Sequence, residues 1–509
     1  PRYPTWAPTI EGDEPGPERQ AGPERPAGPE RQPGLGNVPG PGRPIDDASW
    51  VRADVSAATS AAAALDPALI ASVRMPDDAR TWLDGRSLVN ASNSWVVGPD
   101  RSASGAPLLA NDPHLALDQP NIWYVMGLHA PGIDVVGTSV AGMPGIVLGH
   151  TPGVAWGFTN AYLDDMDLFV ERVDPGDSTR YLTPDGSEPF TLHHEVIEVR
   201  GRSAPDTLIV RETRHGPIMT PVVARLGSDL IALRWVAHDV SHAQRALRGL
   251  MRVETAPELL EVLEDLDVAH QNVVFADTAG AWGYWMAGRI PLRPEGSARL
   301  LPAVGWTGEA DWLGWLPFEQ HPHQIAPERG WIATANHRQS WAPVSDAVSD
   351  GYWADPFRAV RINELLEGDA LLDADDMARI QADVVSAFAL RYRPAAVAAY
   401  RSAGLESSAT LLERWDGAHG LESRAAPLFH AWFRDLHRRL GRAEWGGEDG
   451  WFPRSLAMQR LDEGRVPPDL AHAAAEHAAD VVAGRSWGEV HQLTLDHPLA
   501  AVGALRVLG

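Results

Sequence analysis

Nucleophilic side chains are the first residues to weigh, and two types are missing from this chain. The 509 residues contain no cysteine, and all 43 residues counted as lysine or arginine are arginine. Thiolate nucleophiles, disulfides, Ser–Lys dyads, Schiff bases and P-loop lysines are therefore excluded. The nucleophiles that remain are Ser, Thr, Asp, Glu, His and Tyr side chains, or a metal-bound water.

Two histidine pairs have spacings that could hold a metal ion, and both miss the usual pattern. His238 and His242 stand four residues apart, but no Glu follows the first one. We interpret them as surface or capping residues, and a metal-dependent amidase built on them is kept as a third hypothesis. His472 and His477 resemble an inverted zinc-protease motif with one residue too many.

The serine with the most informative surroundings is Ser92, in the segment Ala91-Ser92-Asn93-Ser94-Trp95-Val96-Val97-Gly98. Seven further motifs follow it in order: Ala110-Asn111-Asp112-Pro113-His114-Leu115, Gly149-His150-Thr151, Val154-Ala155-Trp156-Gly157-Phe158-Thr159-Asn160, Asp164-Asp165-Met166-Asp167, Arg214-His215-Gly216-Pro217-Ile218, Thr334-Ala335-Asn336-His337-Arg338 and Phe357-Arg358-Ala359-Val360-Arg361-Ile362. This ordered set resembles the penicillin acylase (penicillin amidase) family of N-terminal-nucleophile hydrolases, which includes cephalosporin and acyl-homoserine-lactone acylases.

The resemblance implies that the chain cuts itself between Ala91 and Ser92, so that Ser92 acquires a free α-amino group. Such a group has a pKa of about 7.7–8.0 in model peptides, close to the best value for a general base near neutral pH. One residue would then supply both nucleophile and base, and no lysine is needed. Asn93 and Trp95 in the same segment are interpreted as structural.

The resemblance also assigns partners to Ser92. The backbone N–H of Asn160 and the side-chain amide of Asn336 would stabilise the oxyanion of acyl transfer. Arg358 would orient Asn336 or the substrate, and a structural salt bridge is its alternative role. The backbone carbonyl of His114 would hold the α-amino group.

Two more sets of residues follow from the same resemblance. Leu115, Leu148 and Phe158 are predicted to line the acyl pocket, although core packing would explain them equally well. Asp164, the carbonyl of Met166 and Asp167 resemble part of a calcium site found in some family members, with Asp346 or Asp350 as a further ligand; a solvated acidic loop is the alternative. No cofactor is expected to be required for the chemistry.

The elements that must position these residues are predicted from hydrophobic periodicity. Apolar runs bounded by polar turns predict strands at 95–97, 107–110, 135–137, 145–148, 195–199, 207–210 and 272–276. Thr255 and Glu258 predict a capping box at a helix start, and 376–389 and 425–440 are predicted to be helices. Strands, a helix, strands and a helical tail indicate an α+β or layered α/β core with an appended helical part.

Four segments are expected along the chain. Residues 1–44, rich in Pro and Gly, are predicted to be a disordered linker or spacer. Residues 45–91 are expected to be a remnant of an upstream chain or a propeptide, and 92–360 the catalytic core. Residues 361–509 are expected to be a mainly helical, C-terminally incomplete part of the catalytic chain. The fold implied by the resemblance is the four-layer αββα sandwich.

The composition and the resemblance together limit the classes of partner that the protein could bind. The formal net charge of −25 argues against nucleic acid and anionic membranes, and no run of about 18 apolar residues marks a membrane span. The resemblance implies an acylase acting on an N-acylated small molecule (a β-lactam antibiotic, acyl-homoserine lactone or lipopeptide), a heterodimer of its own cleaved chains, and a periplasmic or secreted location. The alternative is a catalytically inactive or incomplete acylase-fold remnant that acts as a binding protein.

Overall fold

The computed structural model describes residues 10–11, 91–115, 120–220, 230–295, 301–340, 353–445 and 454–492. The strands in chain order are β1 Ile10–Glu11, β2 Ala91–Val97, β3 Leu108–His114, β4 Trp123–Ala130, β5 Ile133–Val140, β6 Leu148–His150, β7 Val154–Asn160, β8 Met166–Glu171, β9 Val173–Asp174, β10 Asp177–Thr183, β11 Gly186–Pro189, β12 Thr191–Ile197, β13 Asp206–Thr213, β14 Gly216–Pro217, β15 Leu230–Trp235, β16 Gln271–Asp277, β17 Trp282–Ala287, β18 Pro291–Leu292, β19 Ala303–Val304, β20 Gly314–Trp315, β21 His323–Ile325, β22 Trp331–Thr334 and β23 Gln339–Ser340. The helices are α1 Ala243–Leu250, α2 Ala256–Leu263, α3 Phe357–Leu366, α4 Ala374–Gln381, α5 Ala387–Ser402, α6 Glu406–Glu413, α7 Ala425–Trp445, α8 Arg454–Asp462, α9 Pro468–Val482 and α10 Trp487–Val490, with 3-10 turns at Pro99–Arg101, Val236–His238 and Phe318–Gln320.

Two antiparallel sheets form the centre of the fold. The larger has the strand order β21-β17-β16-β7-β6-β5-β4, and the smaller has the order β22-β2-β3. Val96 and Ile332 of the smaller sheet pack with Val274 and Tyr284 of the larger one in a single buried cluster. Strand β16 is buried along nearly its whole length because it is covered on both faces, so it reads as an apolar run rather than an alternating one.

Helices cover the outer faces of both sheets. On the larger sheet, Leu247 of α1 and Leu259 of α2 pack with Val273 and Phe275. On the smaller sheet, α3 and α4 pack with Trp95, Val97 and Ala333 through Ile362, Leu366 and Met377. The order of layers is therefore helix, sheet, sheet, helix, which confirms the α+β prediction and its four-layer form.

The remaining described strands lie outside this sandwich in small sheets, whose orders are β15-β8-β19, β12-β13-β14, β11-β10-β9, β18-β20 and β1-β23. Helices α5 to α9 share a separate core that includes Phe388, Tyr400, Phe429, Trp432 and Leu436. This core confirms the appended helical region. Helix α3 spans the expected limit between residues 360 and 361, and the domain limits stay predictions because almost all of 1–91 lies outside the described residues.

Local signals were partly right. A single helix was predicted over 376–389, but the structure has two, because Asp383 and Ser386 bond the backbone N–H groups of Val385 and Ala389 at 3.1 Å each and such bonds compete with the helix. Only Leu148 of the run 145–148 lies in a strand. Within the described segments, no helix is long and apolar enough to cross a membrane.

The predicted capping box at α2 is only half formed. Thr255 caps the helix by accepting from the Glu258 N–H at 3.4 Å. The Glu258 carboxylate instead accepts from the N–H of Glu254 at 2.8 Å. A full capping box occurs at α4, between Asp373 and Asp376.

Candidate active site

Ser92 is the second residue of β2, so the Ala91–Ser92 peptide bond lies inside a strand of the smaller sheet. Ala91 stands directly opposite His114 of β3, and Ser92 opposite Pro113. Ser92 is 5% exposed. The predicted cleavage point is therefore held by strand pairing and not by a loose loop.

Asn336 follows β22, the neighbour of β2, and has an unusual backbone. Its φ angle is 59°, a left-handed conformation that asparagine tolerates better than most residues. It is fully buried, and its carbonyl accepts from the N–H of Ala354 at 2.9 Å. Such a strained and fixed conformation is typical of functional sites.

The side chain of Asn336 joins Ser92 to Asn160. The backbone N–H of Ser92 donates to Asn336 Oδ1 at 2.8 Å. Asn336 Nδ2 donates to the carbonyl of Asn160, the last residue of β7, at 2.9 Å. Three residues predicted to act together thus meet where the two sheets face each other.

Arg358, in the first turn of α3, holds the same group from the other side. Its Nη1 donates to the Ser92 carbonyl and to Asn93 Oδ1, at 2.7 Å each. Its Nη2 donates to Asn336 Oδ1 at 3.0 Å. Burial lowers the pKa of Arg358 to about 10, so the guanidinium remains charged near neutral pH. The structure places Arg358 in contact with Asn336, the residue it was predicted to orient if it does not orient the substrate.

Asp112 and His114 of β3 complete the cluster at the strand end. Asn93 Nδ2 donates to the Asp112 carboxylate at 3.4 Å. His114 Nδ1 lies 3.4 Å from that carboxylate and 2.9 Å from the Asp112 carbonyl. The hydrogen bond from His114 is the main cause that lowers the pKa of Asp112. Asp112 is therefore an anion linked through Asn93 to Arg358.

Sequence reasoning gave no role to Asn111, yet it connects three strands. Its Nδ2 donates to the carbonyls of Asn93 and Phe158 at 2.9 and 3.1 Å, and its Oδ1 accepts from the Phe158 N–H at 3.2 Å. A Cβ atom on Gly157 would lie 2.6 Å from Ser94 Oγ, so glycine permits the two sheets to approach here. An amide directly after the apolar run at 107–110 was the signal available in the sequence.

Tyr162 and His337 also lie beside the catalytic candidates, and neither was predicted. Tyr162 has a φ of 51°, and burial raises its pKa although the side-chain hydrogen bond with Asn160 acts to lower it. His337 is fully buried, and burial lowers its pKa to about 3. Its Nδ1 accepts from the N–H of Ala335 at 3.3 Å, so the neutral ring supports the turn that carries Asn336.

The three predicted pocket residues lie in two different places. Leu148 and Phe158 are 6% and 5% exposed and belong to the core between the larger sheet and helices α1 and α2. Leu115 is half-buried just after β3. Core packing accounts for the first two, and a role in the acyl pocket stays a prediction for all three.

The predicted calcium ligands are bound to an arginine. Arg293 Nε donates to the Asp167 carboxylate at 2.6 Å, its Nη2 donates to the Asp164 carbonyl at 3.1 Å, and it is 6% exposed. Trp312 also donates to Asp167, and Met166 is 46% exposed. Arg293 Nη2 also lies 3.5 Å from the Asp164 carboxylate, so both carboxylates have a buried cation beside them.

No group of three or more His, Asp or Glu side chains that could hold a metal occurs in the described part of the chain. Asp346 and Asp350 lie outside the described residues. The described residues alone therefore do not fit a calcium site, and calcium binding stays a prediction.

The other histidine motifs have local partners. His238 lies in a 3-10 turn and His242 precedes α1, both exposed, so they do not share one helix face. His215 is buried with Nδ1 2.6 Å from Glu171 Oε1 and Nε2 2.9 Å from Asp311 Oδ1. His215 thus links Glu171 of β8 to Asp311 by hydrogen bonds, and these partners are not members of the cluster around Ser92.

Comparison with known proteins gives consistent results at three levels. The family model described as penicillin amidase matches residues 35–509. Acyl-homoserine lactone acylase QuiP of Pseudomonas aeruginosa is 33% identical over 390 residues, which are 71% of this chain and 45% of that protein. Penicillin acylase 2 proenzyme of Pseudomonas sp. strain SE83 is 31% identical over 470 residues, 86% of this chain and 59% of that protein.

A solved structure supports the fold. The thermostable penicillin G acylase from Alcaligenes faecalis aligns with a TM-score of 0.63 and 21% identity, covering 77% of this chain and 78% of that one. This match confirms the N-terminal-nucleophile hydrolase fold. The chain spans about half the length of the curated relatives it matches. Because the family model covers nearly the whole sequence, the chain belongs to the penicillin amidase family.

Proposed function

We propose that this chain is an acylase that hydrolyses the linear amide bond of an N-acylated small molecule through Ser92, after self-cleavage between Ala91 and Ser92. The observation that carries the proposal is the contact set around Ser92. Its N–H is bound to Asn336 Oδ1 at 2.8 Å and its carbonyl to Arg358 at 2.7 Å. These bonds fix the backbone of one serine on both sides of its Cα, which carries the CH₂OH side chain.

Self-cleavage is the first step of the proposal. The Ser92 hydroxyl attacks the Ala91 carbonyl carbon, the amide C–N bond breaks with transfer of a proton to the Ser92 nitrogen, and water hydrolyses the resulting ester. Ser92 is then the first residue of its chain, with a free α-amino group. A relative of this chain is named a proenzyme, which agrees with such processing.

Acyl transfer follows with the same groups. The α-amino group accepts the proton of the Ser92 hydroxyl as its oxygen attacks the substrate carbonyl carbon. The Asn160 N–H and one Asn336 amide hydrogen stabilise the oxyanion, since an amide NH₂ carries two donors and the Asn160 carbonyl uses only one. The amine leaves with the proton, and water then releases the acid from Ser92.

The substrate class is proposed from relatives. Their names indicate acyl-homoserine lactones and penicillins, so an N-acylated homoserine lactone or β-lactam is proposed as the substrate. A lipopeptide, a heterodimer of the two cleaved chains and a periplasmic or secreted location are proposed from the family resemblance. The alternative, an inactive binding remnant, has no observation in its favour. The hydrogen bonds that join Ser92, Asn160, Asn336 and Arg358 support the acylase over this alternative.

Turnover of a chromogenic acyl-anilide tests the proposal. We expect the wild type to release the aniline and Ser92→Ala to release none. Ser102→Ala is the matched control, because Ser102 is also a buried serine, 3% exposed, outside this cluster. Loss of turnover in both variants, or in neither, would contradict the role of Ser92. A panel of acyl chain lengths then separates the substrate classes.

A further inference from the structure

A series of hydrogen-bonded, buried polar side chains connects the two sheets beneath the active-site candidates. Tyr284 Oη donates to Asn272 Oδ1 at 2.9 Å, and Asn272 Nδ2 donates to Thr159 Oγ1 at 3.1 Å. The Thr159 hydroxyl donates to Thr334 Oγ1 at 3.0 Å. All four residues are at most 1% exposed. The first two bonds run between neighbouring strands of the larger sheet, from β17 to β16 and from β16 to β7, and the third reaches β22 of the smaller sheet.

The Thr159–Thr334 end of this hydrogen-bonded series lies next to both proposed oxyanion donors. Thr159 directly precedes Asn160 in β7, and Thr334 is the last residue of β22, two positions before Asn336. Asn272 Nδ2 also lies 3.4 Å from the Asn160 carbonyl. That same carbonyl accepts from Asn336 Nδ2 at 2.9 Å.

Apolar packing between the sheets does not set this spacing by itself, and the bonds of Asn111 with Phe158 and of Asn336 with Asn160 are further directional contacts across the same interface. The hydrogen-bonded series is surrounded by apolar side chains, among them Val96, Val274 and Ile332. Because apolar contacts are non-directional, these contacts resist separation of the two sheets more than sliding of one sheet over the other. Hydrogen bonds between fully buried groups are directional, and breaking one leaves a buried polar atom without its partner. Burial raises the pKa of Tyr284 far above its ordinary value, so its phenol stays a donor.

We propose that Tyr284, Asn272, Thr159 and Thr334 are positioning residues that fix the distance between the oxyanion donors on Asn160 and Asn336. This inference rests on the proposed acylase function. A small shift between the two donors weakens their hold on the transition state more than it weakens substrate binding. Disrupting the hydrogen-bonded series should therefore lower kcat and leave KM nearly constant.

Tyr284→Phe removes the first donor, and Tyr400→Phe is its control. Both tyrosines are fully buried, and Tyr400 donates one hydrogen bond, to the Leu428 carbonyl at 3.0 Å, within the helical region. We expect both variants to lose similar thermal stability, while kcat falls about tenfold only in Tyr284→Phe, because misplaced groups cost rate even at a distance from the chemistry. Equal kcat values in the two variants would overturn the inference.

Thr334 offers a second, smaller change should Tyr284→Phe fold poorly. Thr334→Val keeps the shape and removes the acceptor, whereas Thr334→Ser keeps the hydroxyl. We expect kcat to fall in Thr334→Val and to be retained in Thr334→Ser, with KM unchanged in both. A fall in both variants alike would make the threonine structural and overturn the inference. A wild-type enzyme without turnover would instead overturn the proposed function, and the inference with it.

Discussion

The backbone nitrogen of Ser92 lies 2.8 Å from the side-chain oxygen of Asn336, a residue 244 positions further along the chain. This nitrogen belongs to the peptide bond that we propose is cut, and after cleavage it becomes the α-amino base. The residue that orients the base thus also carries a proposed oxyanion donor. One asparagine couples proton transfer to charge stabilisation.

Asn336→Asp should strongly reduce turnover. The substitution keeps the size of the side chain and its tolerance for a left-handed backbone, but it removes the amide hydrogens. Loss of one oxyanion donor typically lowers kcat by about 10²–10³, and we expect a fall of that order in steady-state kinetics. Asn363→Asp is the control, because Asn363 bonds Ala359 and Trp331 within α3 and β22. Equal losses in the two variants would argue against a special role for Asn336.

Arg358→Lys should lower kcat although the charge is kept. The guanidinium contacts three acceptors, on Ser92, Asn93 and Asn336, and an ammonium group cannot reproduce that planar fork. We expect a loss of about 10² in kcat, the scale of an ångström-sized misplacement.

The control for this change is one turn further along α3. Arg361 makes a two-pronged ion pair with Asp383 at 2.9 and 2.8 Å. Arg361→Lys should keep kcat near the wild-type value. An active Arg358→Lys enzyme would make Arg358 a structural residue, the alternative that its position in the sequence left open.

Thermal stability should fall as the pH is lowered from about 6.5 toward 4. Burial lowers the pKa of His321 to about 4 and those of His337 and His430 to about 3, from an ordinary 6.5. In this window the unfolded chain binds protons that the folded chain does not, so unfolding becomes more favourable. Calorimetric Tm values across this range test the slope.

A pair of histidine variants checks the origin of that slope. His430→Gln removes one of the three buried rings and should make the Tm less dependent on pH. His129→Gln changes a ring whose side chain is 65% exposed and should leave the dependence unchanged. Equal slopes in both variants and the wild type would assign the acid sensitivity to other groups.

Chelation should leave turnover intact. The proposed chemistry uses no metal, and the carboxylate of Asp167 is already bound to Arg293. Rates measured with and without EDTA, well below the Tm, should agree within error. Activity lost on chelation and restored by zinc would favour the metal-dependent amidase instead. A fall in Tm without loss of activity would show that the predicted structural calcium is bound.

The ordered motifs named the residues that meet around Ser92 through their resemblance to the penicillin acylase family, and each of these residues lies at or just beyond a strand end or in the first turn of a helix. The contacts that hold them could not be predicted. Asn111 reaches Phe158 of the other sheet, which depends on how the two sheets pack, and Tyr284 reaches Asn272 of the paired strand, which depends on strand register. The site at Asp164 shows the same limit, since Arg293 carries no local sign of its partners.

Whether Ser92 becomes an N-terminal nucleophile can be read from the intact mass of the purified, denatured protein. We expect two chains for the wild type, with a mass break at the Ala91–Ser92 bond and the larger chain beginning Ser92-Asn93-Ser94. We expect one uncut chain for Ser92→Ala. An active wild-type protein that remains a single chain, or that is cut at another bond, would show that Ser92 is not an N-terminal nucleophile.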